Sequence, residues 1–295
     1  MSTQPNPKQL QEMERQAQGF AREAGRILLD YFQKPLAVEF TGKDRRHPVT
    51  PADHAAQAYL KQAIHKTYPD HGFLAEESEE GGTTDSEFLW VADPLDGTSN
   101  FINGLPIFAV SLGMLHRGQP VIGCIYAPAG LAVNGEMFHA YRGGGAFLDN
   151  QRLAVFPNLS QEKLASLPSR FQGFTRPARD LRKKLGEPRS LGSIAYDLAL
   201  VARGTFHFAY FGSPRLWDLA AGAVLVREAG GEVLIRERPQ GWQALQAFQP
   251  PTRKDSKGLR DWCSSTIVAS PETASLLARN LKRRSRVSRF LARWL

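Results

Sequence analysis

Residues 88–101 read Phe-Leu-Trp-Val-Ala-Asp-Pro-Leu-Asp-Gly-Thr-Ser-Asn-Phe. The first five are apolar without a break, the pattern of a strand buried on both faces. The run stops at two carboxylates, Asp93 and Asp96, three residues apart. Pro94 fixes one backbone angle and Gly97 permits a sharp turn. A helix starting at Gly97 would aim its free N–H groups where the two acids point, and such a helix end suits a phosphate oxygen. Carboxylates beside an anion site call for a cation between them. Mg²⁺ fits, because it takes hard oxygen ligands and bridges to phosphate, and the carbonyl of Leu95 offers one more oxygen. Taken alone, the same stretch also reads as a capped turn.

Working outward, Phe108 to Leu115 and Val121 to Ala127 read as hairpin strands, and strand-like pieces continue to about Val155. Upstream, residues 1–7 read as unordered. Apolar residues from Lys8 to Phe32 recur in steps of three and four, an amphipathic helix. A polar loop over Thr41 to Pro51 and a helix over Ala52 to Tyr68 follow. Gly72 to Ser78 reads as a short strand ending in Glu76 and Glu77. Downstream, Pro157 to Arg189 is mixed, Ser193 to Ala202 helical, and Thr205 to Phe211 a strand. Asp218 to Ala229 is an apolar helix stopped by Gly230-Gly231. Arg236 to Asp261 reads as a long loop and Thr266 to Ala269 as a strand. This alternation lacks a strict βαβ rhythm, which favours a layered mixed α/β fold over a doubly wound sheet. No GxGxxG or Walker loop is present, and the seven histidines and two cysteines show no zinc spacing.

Three more acids sit near element ends: Asp53 at a helix start, Glu76 after a strand, and Asp218 at the head of an apolar helix. Each alone reads as a helix cap or a solvated acid. With Asp93 and Asp96 they make four acidic sites at element ends, where metal sites are built.

Two signatures carry a resemblance. One is Trp90-Val-Ala-Asp-Pro-Leu-Asp-Gly-Thr-Ser-Asn-Phe101. The other is Trp217-Asp-Leu-Ala-Ala-Gly222, continuing through Arg227-Glu-Ala-Gly-Gly231. Gly192-Ser-Ile-Ala-Tyr-Asp197, Ala75-Glu-Glu-Ser78 and Thr50-Pro-Ala-Asp53 accompany them. Over about Lys8 to Ser270 the chain resembles the inositol monophosphatase family, within the lithium-sensitive, Mg²⁺-dependent sugar and nucleotide phosphatases. The resemblance implies a layered α/β/α/β/α sandwich of the inositol monophosphatase and fructose-1,6-bisphosphatase type, usually a homodimer. It implies one Mg²⁺ on Glu76, Asp93 and the Leu95 carbonyl, a second on Asp93, Asp96 and Asp218, and a third, weaker ion at Glu76 and water. Gly97 and Thr98 would bind phosphate through backbone N–H groups, with Ser193 on the substrate side. Asp53, Thr98 and Glu76 would orient and activate the water, and Lys43 would lie in a loop closing over the site. The implied activity is hydrolysis of a small phosphate monoester by metal-activated water, of the inositol-1-phosphate phosphatase type.

The chain departs from that pattern where inositol-specific members carry a Glu seven residues before the Asp of the Trp-Asp motif. Here that position is Phe211, and an Asp common a few residues earlier is His207. This puts inositol phosphate in doubt as the main substrate. Fructose-1,6-bisphosphate, histidinol phosphate and 3′-phosphoadenosine 5′-phosphate stand as alternatives. Arg215, three residues before Asp218, offers a positive contact to a second phosphate or a surface salt bridge.

The formal net charge is +8, and seven basic residues lie in the last 17, Arg279 to Leu295, with no acid among them. The remainder is therefore close to +1, which argues against a nucleic-acid-binding body. Val287, Phe290, Leu291, Trp294 and Leu295 recur at helical spacing with Lys282, Arg286, Arg289 and Arg293 largely opposite. That basic amphipathic helix suits packing on the body or on a dimer mate, or else a weak contact over 281–295 to an anionic membrane or a protein. The expected organisation is an N-terminal lobe over 1–155 carrying most metal ligands, a C-terminal lobe over 156–278, and the tail over 279–295. The polar N-terminus and the lack of a long apolar run predict no secretory leader and no membrane helix. Cys124 and Cys263 read as two buried thiols in a reducing cytoplasm. The partner implied is a small phosphorylated metabolite; a non-enzymatic protein acting through its basic tail is the alternative.

Overall fold

The computed structural model describes residues 5–41, 47–77, 86–130, 132, 134–154, 163–169, 171, 175–178, 185–237, 239–252 and 256–283. Helix α1, Pro7–Tyr31, starts where Asn6 accepts a hydrogen bond from the Lys8 N–H, so order begins earlier than the sequence suggested. Its apolar stripe, Leu10 through Leu28, is buried. The segment read as a polar loop carries strand β2, His47–Val49, paired antiparallel with β1, Glu39–Thr41. Helix α2, Pro51–Thr67, opens on a capping box between Thr50 and Asp53.

A seven-stranded sheet follows in chain order: β3 Gly72–Ala75, β4 Phe88–Asp96, β5 Ala109–His116, β6 Gln119–Ala127, β7 Glu136–Tyr141, β8 Gly145–Leu148 and β9 Gln151–Arg152. Only the β3–β4 pair is parallel. Helix α3, Thr98–Ile102, is a single turn after β4. A second sheet has the order β12-β10-β13-β16-β14-β15, from Glu187–Arg189, Leu164–Ser166, Phe206–Phe211, Thr266–Ala269, Glu232–Glu237 and Gly241–Ala244. Helices α4, Ile194–Ala202, and α5, Leu216–Glu228, lie between the sheets, α1 and α2 cover the outer face of the first, and α6, Pro271–Asn280, packs on the second. The fold is thus an α/β/α/β/α sandwich.

Two glycines seat the helix that carries Asp218. Gly113 and Gly123 face each other across β5 and β6. A Cβ on Gly123 would stand 2.1 Å from the Ala221 carbonyl oxygen, and one on Gly113 2.8 Å from the Ala220 Cβ. Their bare backbones let α5 lie against the sheet, which brings its N-terminus beside the end of β4.

Three expectations are corrected. Arg236 to Asp261 is not one loop: β14 runs to Glu237, β15 returns antiparallel against it, and Gly258–Asp261 forms a 3₁₀ turn. Tryptophan and glycine in β15 gave no clear period because the strand lies at the sheet edge, with its side chains partly or fully exposed. The tail reading fails at its start, where Leu281–Arg283 is a strand, β17, antiparallel to β11, Thr175–Pro177. Pairing with that strand satisfies its backbone groups in place of a helix; the rest of the expected tail helix lies outside the described residues. Cys124 is buried as expected, but Cys263 is exposed, because it bridges edge-on to Arg215 outside any strand. Both are free thiols. Among the described residues no helix is long and apolar enough to cross a membrane.

Candidate active site

In a regular strand Asp93 and Asp96 would point to opposite faces, because side chains alternate with period two. The β4–β5 ladder instead breaks register between them, where Pro94 has no N–H to give. Both carboxylates are buried, and they act on one another electrostatically. Asp93 Oδ1 accepts from the Leu95 N–H at 3.1 Å, so the turn after Pro94 fixes Asp93. Asp96 Oδ2 accepts from Ser193 Oγ at 2.8 Å and from the Ala195 N–H, so this carboxylate caps α4 across the sheets. Ser193 is therefore held to Asp96.

Gly97 sits at φ +101°, and a Cβ there would meet the Ile107 carbonyl oxygen at 2.9 Å. It opens the α3 turn, with Thr98 as the first helical residue. Thr98 Oγ1 lies 3.4 Å from Asp53 Oδ1 and 3.1 Å from the Leu95 carbonyl oxygen. Asp53 Oδ2 accepts from the Thr50 N–H at 2.8 Å and the Thr50 hydroxyl at 2.6 Å. Asp218 Oδ2 accepts from the Arg215 backbone N–H at 2.7 Å. Asp53 and Asp218 are thus helix caps and members of the acidic cluster at once.

Burial pushes the pKa of Asp53, Glu76, Asp93, Asp96 and Asp218 above the ordinary carboxylate range, and several of these acids push one another further. Asp218 stands at about 7, raised by burial and Asp96 against a modest pull from Arg215. The hydrogen bonds that hold Asp53, Asp93, Asp96 and Asp218 come from backbone N–H groups and hydroxyls. Among the described residues no ion pair involves them. An all-oxygen set that repels itself and lacks a cationic partner fits hard divalent cations. Among the described residues no three of these side chains yet close on one point in ligating geometry, and Lys43 lies outside the described residues.

A model of the inositol monophosphatase family matches residues 9–284. The chain belongs to that family. The Nus factor SuhB of Escherichia coli is 39% identical over 220 residues, covering 72% of this chain and 81% of that protein. The inositol-1-monophosphatase of Mesorhizobium japonicum is 36% identical over the same length and the same shares. The crystal structure of extragenic suppressor protein suhB from Bartonella henselae superposes with a TM-score of 0.71 at 29% identity, covering 91% of this chain and 97% of that one. The relatives are thus named both as an inositol phosphatase and as a Nus factor.

Against the inositol-specific family pattern, the two unusual residues of β13 part company. His207 turns toward α6, with Nε2 3.3 Å from Thr273 Oγ1. Phe211 lines a pocket of about 280 Å³ beside the acids, with Ser166, Gly192, Ser193, Ile194 and Asp197 among its other walls. Arg215 is exposed, and its backbone, not its guanidinium, holds Asp218.

Sequence reading missed Arg260. From the 3₁₀ turn its guanidinium donates to the carbonyls of Ala75 at 2.9 Å and Glu76 at 2.7 Å, and it lies 5.5 Å over the Trp217 ring. It joins the segment carrying Glu76 to the residue before Asp218. Ser111 Oγ, opposite Asp93 in the ladder, adds a 3.2 Å bond to the Trp217 carbonyl.

Proposed function

We propose that this chain is a Mg²⁺-dependent hydrolase of small phosphate monoesters. The observation that carries the reading is that Asp53, Glu76, Asp93, Asp96 and Asp218, five acids from four segments, raise one another's pKa as one mutually repelling set. Glu76, Asp93, the Leu95 carbonyl, Asp96 and Asp218 would hold the metal ions. Bound there, divalent cations neutralise the phosphate and lower the pKa of a coordinated water.

The remaining roles fall to the chain itself. Asp53, with its pKa raised by burial, is a better proton acceptor than an ordinary aspartate and holds the Thr98 hydroxyl. Asp53 and Thr98, with Glu76, therefore orient the attacking water and take its proton. The free N–H groups at Gly97 and Thr98 bind phosphate oxygens. Ser193 flanks the leaving group. Thr98 Oγ1 donates to Asp53 and lies against the Leu95 carbonyl, which suits positioning of water and phosphate, so direct attack by water is the reading. The implied assembly is a cytoplasmic homodimer with an N-terminal lobe over 1–155, a C-terminal lobe over 156–278 and a basic tail.

Release of inorganic phosphate from myo-inositol 1-phosphate, fructose-1,6-bisphosphate, histidinol phosphate and 3′-phosphoadenosine 5′-phosphate, with Mg²⁺ and with EDTA, tests the reading. Mg²⁺-dependent turnover of at least one supports it; no turnover of any sinks it. The Nus-factor name of the Escherichia coli relative favours a second reading, a protein that works through a macromolecular partner. That reading gains if turnover is absent while the chain still captures a partner.

A further inference from the structure

Glu76 stands where the first sheet gives it least support. β3 is the outermost strand, and among the described residues it pairs with β4 alone, ending at Ala75 opposite Ala92. One more main-chain bond, from the Glu76 N–H to the Ala92 carbonyl at 3.2 Å, carries the ladder past the strand end. A carboxylate that has to hold a cation and aim a water needs firmer fixing than that.

Two side chains supply it, and both act on one peptide group. The carbonyl of Glu76 accepts from Arg260 Nη2 at 2.7 Å, and the N–H of Glu77 donates to Gln57 Oε1 at 3.2 Å. The carbonyl and the N–H of a trans peptide point in opposite directions, so the unit joining Glu76 to Glu77 is gripped from two sides. Gln57 lies on α2 four residues after Asp53, one turn further along the same helix face. Asp53 in turn holds Thr98 Oγ1 at 3.4 Å. Gln57 therefore connects the Glu76 segment to the helix that carries Asp53 and, through Asp53, to Thr98.

The connection works against a repulsion. Burial first, and then neighbouring acids with Asp53 among them, raises the pKa of both Glu76 and Glu77. A neutral amide holds the two segments together without adding to their negative charge.

Resting on the phosphatase reading above, we propose that Gln57 is a positioning residue for the hydrolysis: by fixing the Glu76–Glu77 peptide to α2, it sets how far Glu76 stands from the Asp53–Thr98 pair that orients the attacking water. It acts through Glu76 and not on the phosphate. Arg260 fixes the same peptide toward α5, where the cations are held. Gln57 fixes it toward α2, where the water is aimed.

Two variants isolate the bond. Q57M keeps the length of the side chain and removes its acceptor, whereas Q57E keeps an acceptor oxygen. The first measurement is hydrogen exchange at the Glu77 amide in the metal-free full chain, which reads the bond without turnover. Exchange there should be about 10-fold faster in Q57M and close to wild type in Q57E. The second is kcat at saturating Mg²⁺, on whichever of the four phosphomonoesters above the wild type hydrolyses fastest. It should fall by about 10-fold in Q57M and recover to within a few-fold in Q57E. The Mg²⁺ dissociation constant from calorimetric titration should stay within a few-fold of wild type in both. Unchanged exchange at Glu77 in Q57M overturns the proposal, as does a kcat equally low in Q57M and Q57E. A Mg²⁺ affinity about 10-fold weaker overturns it too, because Gln57 would then serve metal binding. If Q57M does not fold, Q57A takes its place under the same outcomes. Absence of turnover in the wild-type chain overturns the phosphatase reading and this role with it, whereas wild-type turnover that Q57M leaves unmoved overturns the inference alone.

Discussion

The molecule buries carboxylates in two ways. On the side of α1, Glu14 meets His139 Nδ1 and accepts from Gln18 Nε2 at 3.0 Å. His139 Nε2 faces the Asp149 carbonyl at 2.7 Å, so both ring nitrogens point at oxygen acceptors, which favours the protonated ring. Burial would lower the His139 pKa, but the bonds to Glu14 and Asp149 win and raise it. Glu136 is treated alike, with Arg203 at 2.9 Å and the Tyr196 hydroxyl at 2.7 Å. At the mouth of the sandwich, by contrast, Asp93 and Asp96 lie buried among further acids with only dipoles to hold them. A buried charge with its own counter-ion is part of the scaffold. A group of buried charges without one is a site whose counter-ion comes from outside.

The strongest way to break this contrast is D93N. Asn keeps the acceptor for the Leu95 N–H and the shape of the turn, but removes the carboxylate at the centre of the cluster. Turnover should fall by about 10³-fold or more, the scale of deleting a group that balances transition-state charge. The same variant should melt higher than wild type in EDTA, by about 2–4 °C for each kcal/mol of repulsion relieved. Near-normal turnover in a phosphate-release assay, or a lower melting point in EDTA, would show that Asp93 belongs to the scaffold.

The opposite experiment removes a counter-ion. H139A leaves Glu14 buried with Gln18 alone, and should cost about 3 kcal/mol of stability. Urea unfolding measures it. The value of kcat in the folded variant should not change, since His139 lies on β7, three strands from the β4 end that carries the acids.

pH probes both regions with the sign of each fixed. The cluster acids have folded pKa values above their unfolded ones, with Asp218 at about 7 against 3.8. Between those values the folded chain holds protons the unfolded chain has lost, so stability falls as pH rises through that window. His139 adds a loss of the same sign as pH rises through its raised pKa. Mg²⁺ separates the two, because it replaces the missing charge only at the cluster. Mg²⁺ at 100 times its dissociation constant should add about 2.7 kcal/mol at pH 8, and distinctly less at pH 5 where it competes with protons. Equal stabilisation at both pH values in a calorimeter would contradict the assignment.

The cluster was legible in the sequence because its chemistry lies in local patterns. Asp93, Leu95, Asp96, Gly97 and Thr98 fall within six residues, and Asp53 and Asp218 stand at helix starts whose capping role the structure keeps. Cap bonds and membership of the acidic cluster are compatible in these acids: one oxygen makes the cap bonds while the carboxylate acts electrostatically on its neighbours. The layered fold followed from apolar runs and helical periods. The Glu14–His139 pair was not legible, since 125 residues separate its members. Nor was the strand at Leu281–Arg283, whose existence depends on the partner Thr175–Pro177 and not on its own basic sequence.

Arg260 was hidden for a further reason: it binds main-chain carbonyls, so no complementary side chain marks its partner. Its smaller expected effect sharpens the contrast most finely. The guanidinium supplies a cation close to the cluster, yet it is spent on the carbonyls of Ala75 and Glu76 and on the Trp217 face, and it does not neutralise the acids. It acts as a positioning residue, fixing how far the Glu76 segment stands from the start of α5. R260A should therefore raise the Mg²⁺ concentration for half-maximal activity by about 10-fold, while kcat at saturating Mg²⁺ stays within a few-fold of wild type. R260K should recover little of this, because an ammonium cannot reproduce the fork that spans two carbonyls. Calorimetric titration with Mg²⁺ gives the same comparison without turnover. A variant that loses kcat and leaves Mg²⁺ affinity unchanged would place Arg260 in contact with substrate, whereas one that alters neither would make the clamp a feature of the fold alone.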